Sequence, residues 1–254
     1  MAPEEFRNAI LQKGAVFLPN RADPGLLDKI HRELNRLFAS YPDLSDEQLA
    51  VSDPSTREQI DLSHVSERTF STFAGFSYYE VLRQSGLWEM VQKALPETQP
   101  EESPFCHSRR VATPDRKEFF SWVIDYHVDA QFHWAHQLNI NFWTPLVACG
   151  KAAPGISVIP IGLERSKGYL EFNPTGRYEF EHQEFNQSKF RVSKMRTEIL
   201  SEQGLLASAW SPEFEMGDVL AFSNFTMHCT YYRPEMTEPR TSVELRVELP
   251  GFPI

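Results

Sequence analysis

The spacing of apolar side chains changes period near residue 105. Before that point it is mostly helical. Residues 3–13 read as a short amphipathic helix and Ala15-Val16-Phe17-Leu18 as a buried strand. Asp23 caps a helix whose Leu26, Leu27, Ile30, Leu34 and Leu37 share one face. Residues 43–65 are polar and turn-rich and predict a surface loop, while 78–95 return to helical spacing. Residues 96–104, with three prolines and three glutamates, read as a linker.

From Phe105 onward the period is two, and short runs are separated by Gly, Pro and Asp. The predicted strands are 106–112, 118–127, 136–146, 156–161, 218–225, 228–232 and 240–249. Strands of this number and spacing predict a jelly roll, so the fold class is α+β with a mostly β core and N-terminal and flanking helices. Between the fourth and fifth strands runs a long excursion, residues 162–212, with a helical piece at 190–200. Excursions of that length inside a compact barrel are usually functional, and this one is expected to form a lid or pocket wall. One domain is expected over residues 1–254, with 1–100 as a helical packing region and 105–250 as the core.

Composition narrows the chemistry. The formal charge of −10, from 35 acidic and 25 basic side chains, disfavours phosphate backbones and anionic membranes, so no nucleic acid or membrane partner is expected. Three cysteines without paired spacing suggest neither a disulfide framework nor a thiolate zinc site, and a reducing cytoplasm fits them. No apolar run reaches the length of a signal or membrane span. The 19 Phe, 8 Tyr and 5 Trp fit a β-rich core, or a pocket for an apolar substrate.

The candidate chemistry begins at Tyr126-His127-Val128-Asp129. On a strand, residues i and i+2 point to one side, so His127 and Asp129 can offer their side chains to one ion. His228, carried back by the turn and strand Gly217-Asp218-Val219-Leu220-Ala221-Phe222, is the candidate third ligand. Two histidines and one carboxylate on one face leave the opposite face open, which suits iron(II) taking a bidentate keto acid and then dioxygen; the same three ligands can hold zinc. His133 and His136 lack a carboxylate two residues on. They are candidates for the substrate pocket, for contacts behind the metal, or for ordinary positions.

Residues 240–247, Arg-Thr-Ser-Val-Glu-Leu-Arg-Val, alternate cleanly. Arg240, Ser242, Glu244 and Arg246 form a polar side expected to face the barrel interior. A buried arginine needs a carboxylate. For Arg240 that partner is either the distal carboxylate of a keto diacid, with the Ser242 hydroxyl beside it, or Glu244 in an internal pair. Arg246 is more simply read as pairing with Glu244.

Together these residues resemble the phytanoyl-CoA dioxygenase-like branch of the iron(II)/2-oxoglutarate-dependent oxygenases. The likeness lies in His127-Val128-Asp129, in Asn141-Phe142-Trp143-Thr144-Pro145-Leu146, in Ala153-Pro154-Gly155-Ile156-Ser157-Val158-Ile159-Pro160, and in Gly217 to Phe222 running through His228 to Pro239-Arg240. It implies a cupin-like double-stranded β-helix. It also implies iron bound by His127, Asp129 and His228, and the C5 carboxylate of 2-oxoglutarate bound by Arg240. Thr230 matches a hydroxyl-bearing position that assists Arg240, and Trp143 matches a tryptophan near the cosubstrate. Asn139 is a further candidate there, and of the basic cluster Arg109, Arg110, Arg116 and Lys117, either Arg109 or Arg110 is a candidate for the C1 carboxylate or an anionic substrate, the alternative being simple solvated charge. Tyr169 and Phe172 in the excursion are candidate substrate contacts. The usual Gly-Ser-His after the Pro-Gly strand is replaced by Ile161-Gly162-Leu163, so the turn into the excursion is remodelled. Halogenating relatives carry a small residue where Asp129 stands, which points away from halogenation.

The resemblance thus implies a dioxygenase that uses iron(II), 2-oxoglutarate and O2, releases succinate and carbon dioxide, and hydroxylates an unactivated carbon of a small, apolar or secondary-metabolite substrate. Desaturation, ring formation and rearrangement would use the same residues. Two other readings stay open, a cupin-like metal-dependent isomerase or hydrolase and a non-catalytic small-molecule barrel. A monomer or weak homodimer is expected.

Overall fold

The computed structural model describes residues 1–40, 64–111, 125–131, 137–171 and 197–253. The N-terminal region opens with α1 (Pro3–Asn8), which runs into a π-helical turn at Ala9–Lys13. Gly14 ends that turn at φ +80°, where a side chain would also collide with the backbone: a Cβ there would lie 2.3 Å from the Ile161 carbonyl oxygen. The chain then enters β1 (Ala15–Leu18) and α2 (Pro24–Ala39). Asp23 caps α2 by accepting from the Gly25 N–H at 2.9 Å, with Pro24 at the first helical position.

Beyond it come β2 (His64–Ser66), α3 (Glu67–Ala74), α4 (Glu80–Gln84) and α5 (Leu87–Ala94). The 78–95 stretch is therefore two helices, broken by Gly86 at φ +69°. The expected linker contains a short strand, β3 (Glu101–Glu102), and the end of the expected loop at 43–65 forms β2; residues 43–63 lie outside the described residues. Strands of three and two residues carry too little alternation to be read from a pattern.

The core strands are β4 (His107–Val111), β5 (Leu138–Pro145), β6 (Gly155–Ile159), β7 (Val219–Ser223), β8 (Met227–Tyr231) and β9 (Arg240–Leu249). They form two antiparallel sheets. The larger runs β1-β7-β5-β9-β4-β2, with β3 on β9, and the smaller pairs β6 with β8. Two facing antiparallel sheets are the layers of the expected jelly roll. Between β6 and β7 the expected excursion carries α6 (Leu163–Glu171) and α7 (Thr197–Glu202); 172–196 lie outside the described residues. Among the described residues no helix is long and apolar enough to cross a membrane.

The larger sheet uses its two faces differently. Phe142, Ala221, Val243, Leu245 and Val247 point outward into one apolar cluster with Phe6, Leu27, Ile30, Leu34 and Leu87 of the helices. The inner face packs Trp143, Leu220 and Phe222 against Ile156, Val158 and Phe214. A third cluster, with Ile159 and Met227 against Leu200 and Leu205, covers the outside of the smaller sheet. Alternation along β9 decides the sidedness: Val243, Leu245 and Val247 face the helices, so Arg240, Ser242, Glu244 and Arg246 face the barrel interior.

Candidate metal centre

His127 and His228 are far apart in sequence yet paired in backbone, each N–H donating to the other's carbonyl at 3.0 Å. Their rings consequently stand side by side, centroids 4.2 Å apart. Both rings are oriented by a carbonyl two residues earlier. Nδ1 of His127 donates to Asp125 O at 2.8 Å, and Nδ1 of His228 donates to Thr226 O at 2.9 Å. A carbonyl can only accept, so in each ring Nε2 is the nitrogen that keeps its lone pair.

Those two Nε2 atoms face Asp129 Oδ1, at 3.6 Å from His127 and 3.7 Å from His228. The three ligand atoms lie within 4.8 Å of one another, and all three residues are buried. Metal–ligand bonds of about 2.1 Å reach across separations of this size with small side-chain adjustment. Asp129 opens a 3-10 turn, Asp129–Gln131, rather than ending a strand, so the convergence comes from a turn laid across the barrel end.

The electrostatics suit ligation. His127 is pushed down to about 3 by burial and by the neighbouring His228, which keeps it neutral. Burial opposes ionisation of Asp129, but Arg246, His228 and His127 more than offset it and hold its carboxyl at about 2. Asp129 Oδ2 points away from the histidines. It accepts from Asn141 Nδ2 at 2.7 Å and from Arg246 Nη2 at 3.2 Å.

Arg240 is 2% exposed, and its Nη1 donates to Gly155 O at 2.7 Å. Its Cζ lies 5.4 Å from the Trp143 ring centroid. No carboxylate of the described residues pairs with it, and its Nε and the neighbouring Ser242 Oγ are both buried without a hydrogen-bond partner. Burial, followed by the Arg109 charge, lowers its pKa to about 10. A cation and a hydroxyl left this way on one strand fit a carboxylate ligand.

Glu244 is engaged elsewhere. Burial opposes its ionisation, yet His107, Arg109 and Arg246 hold its carboxyl well below the usual range. His107 Nε2 lies 3.1 Å from Glu244 Oε2, and Arg246 Nη2 lies 3.9 Å from the same oxygen. The Arg246–Glu244 pair expected from alternation is thus the longer of two contacts, the shorter being with Asp129.

The remaining candidates are distributed as follows. Thr230 lies on β8 two residues beyond His228, opposite Ile156, and Arg109 lies on β4 opposite Ser242. Asn139 is opposite Glu248, at the other end of β9 from Arg240, so the structure does not bring it to that subsite. The asparagine that reaches the metal side is Asn141, opposite Arg246. Tyr169 lies in α6, but its side chain, and His133, His136 and Phe172, lie outside the described residues. Asn141, His107 and the Arg246–Asp129 contact escaped the sequence. The signal was strand register, which places Asn141 beside Arg246.

Two facing sheets with a buried cluster of two histidines and one carboxylate between them define a jelly roll with a candidate metal centre. Solved structures share this fold. EvdO2 from Micromonospora carbonacea var. aurantiaca, complexed with 2-oxoglutarate, matches with a TM-score of 0.64 at 14% identity over 99% of this chain and 91% of its own. SnoN of nogalamycin biosynthesis, a non-heme alpha ketoglutarate dependent epimerase, matches at 0.60 and 12% over 97% and 82%. AviO1 from Streptomyces viridochromogenes Tue57 matches at 0.57 and 11% over 100% and 96%. These likenesses show the fold, a jelly roll shared with 2-oxoglutarate-binding and 2-oxoglutarate-dependent proteins. No family model and no curated protein matches the sequence.

Proposed function

We propose that the chain is an iron(II)- and 2-oxoglutarate-dependent oxygenase of the phytanoyl-CoA dioxygenase-like type, acting on a small, apolar or secondary-metabolite molecule. The observation that carries this reading is the pairing of a His127–Asp129–His228 cluster with a buried arginine that no carboxylate of the described residues neutralises. A metal isomerase or hydrolase needs the first and has no use for the second.

In this reading His127, Asp129 and His228 hold the metal, with both histidines presented through Nε2. Arg240 and Ser242 hold the distal carboxylate of the keto acid, Trp143 walls that pocket, and Thr230 and Arg109 line its approach. Iron(II) held by His127, Asp129 and His228, with a keto acid held at Arg240, would supply the oxidising power for a substrate C–H bond, at the expense of dioxygen and with succinate and carbon dioxide as co-products. The chain's own contribution is to orient the ligands, bury the charges and keep bulk water from them. Hydroxylation is the proposed outcome. The same residues serve a rearrangement or an inversion of configuration, and SnoN, an epimerase on this fold, supports keeping that second outcome in view. The retained Asp129 carboxylate speaks against halogenation.

The test is anaerobic addition of iron(II) and then 2-oxoglutarate to metal-free protein. A weak visible charge-transfer band should appear and be lost in Asp129→Ala. A folded sample that shows no band, or that purifies with tightly held zinc and ignores 2-oxoglutarate, would sink the proposal in favour of the isomerase or hydrolase.

A further inference from the structure

Asp129 uses its two oxygens differently. Oδ1 faces the two Nε2 atoms at 3.6 and 3.7 Å, while Oδ2 is held by Asn141 Nδ2 at 2.7 Å and Arg246 Nη2 at 3.2 Å. The two holders come from adjacent strands at paired positions, Asn141 of β5 opposite Arg246 of β9. Asn141 is held by burial and Arg246 by further bonds. Asn141 is buried, and turning its amide over would set oxygen against the carboxylate. Arg246 also donates to the Phe105 carbonyl, and its Nη1 lies 3.4 Å from His107 Nδ1. His107 Nε2 in turn lies 3.1 Å from Glu244 Oε2. The carboxylate therefore meets a pre-built fork.

We propose that Arg246 and Asn141 act as positioning residues that fix Asp129 as a one-oxygen ligand through Oδ1. A carboxylate can bind a metal through one oxygen or two. With Oδ2 tied back, Asp129 would take up one coordination position of a bound metal and leave the others for a two-toothed keto acid and dioxygen. The guanidinium also draws charge from the carboxylate, so it makes Asp129 a weaker donor. Releasing the clamp should leave metal binding intact or tighter while the keto acid loses its place. A purely structural salt bridge predicts the reverse: metal affinity, keto acid affinity and folding stability would fall together.

The inference rests on the proposed assignment of the metal centre, and the experiment separates the two. Mn(II) affinity of the metal-free protein is measured by calorimetry, 2-oxoglutarate affinity of the Mn(II)-loaded protein likewise, and the anaerobic iron(II) charge-transfer band is recorded. The proteins are wild type, Arg246→Met, Arg246→Lys, Asn141→Leu and Asp129→Ala, each checked by thermal unfolding without metal. Expected for Arg246→Met and Asn141→Leu are unchanged or tighter Mn(II) binding, a loss of about tenfold or more in 2-oxoglutarate affinity, and a weakened or shifted band. Arg246→Lys, which restores charge without the fork, should recover only part. The clamp is overturned if both variants bind 2-oxoglutarate like wild type, or if Mn(II) affinity drops in step with thermal stability. If one variant fails to fold, the other carries the test. Failure of wild type to bind Mn(II), or binding by Asp129→Ala as tight as wild type, instead overturns the metal assignment.

Discussion

The Arg240 guanidinium lies over the Trp143 ring, Cζ 5.4 Å from the centroid, with its Nε unpartnered and Ser242 Oγ beside it in β9 equally so. A buried cation without a carboxylate costs stability in the ligand-free protein. Arg240→Met removes that cost along with the bond to Gly155 O and the Trp143 contact, and should therefore leave the ligand-free protein about as stable as wild type. Its affinity for 2-oxoglutarate should fall by about 2 kcal/mol or more, roughly thirtyfold. Thermal unfolding with and without 2-oxoglutarate reads both effects at once; a destabilised Arg240→Met protein that still binds the keto acid would contradict the assignment. Ser242→Ala should show the same signs with smaller size.

The three cysteines offer a pH prediction. Burial pushes the thiols up, Cys106 to about 11 and Cys149 and Cys229 to about 12. A raised thiol pKa keeps the unreactive protonated form through the neutral range, and thiolate accumulates only as pH climbs toward those values. Native protein at pH 8 should not react with a disulfide reagent within minutes, and all three thiols should react once guanidinium unfolds the chain. Fast labelling of any one of them in the native state would show that its surroundings open.

Tyr79 joins the helical region to the core. Its hydroxyl lies 2.9 Å from Ser103 O, 2.8 Å from Arg246 O and 2.8 Å from Cys106 Sγ. Tyr79→Phe leaves buried acceptors short of a donor, which should cost about 1–3 kcal/mol in denaturant unfolding. Because one of those acceptors is the backbone of Arg246, a loss of 2-oxoglutarate affinity should accompany it; a stability loss alone would confine Tyr79 to packing.

Gly14 gives a backbone test. Its φ of +80° and the Ile161 carbonyl at 2.3 Å from a built Cβ make Gly14→Ala both strained and crowded. The expected cost is about 1–3 kcal/mol or more in unfolding free energy, and an unchanged midpoint would mean that the junction of β1 and α6 relaxes freely.

What the sequence disclosed and what it hid divide along one physical line. Period-two alternation showed that 240–249 is a strand with a polar side, and the structure matches those bounds residue for residue. Alternation says which side chains share a face; it does not say which strand lies next door. Alternation alone therefore pairs Arg246 with Glu244, two positions away on its own strand, whereas the neighbouring β5 and the turn at Asp129 supply Asn141 and the shorter contact. Asn139, a further candidate from the sequence, pairs with Glu248 at the far end of β9 from Arg240. The i, i+2 spacing predicts His127 and Asp129 on one strand end; the structure places His127 in a bridge to His228 and Asp129 at the start of a 3-10 turn. His107 and Glu244 meet only because β4 pairs with β9, which no local pattern announces.

β9 separates an apolar compartment from a buried polar one using ten consecutive residues. Such a divider cannot be assembled partly wrong. A slip of one residue would drive both its arginines and both its glutamates into the leucines and phenylalanines of the helices and turn Val243, Leu245 and Val247 toward the metal side. Misregistered chains would be too unstable to persist, so the folded population is proofread for an assembled centre before any cofactor arrives.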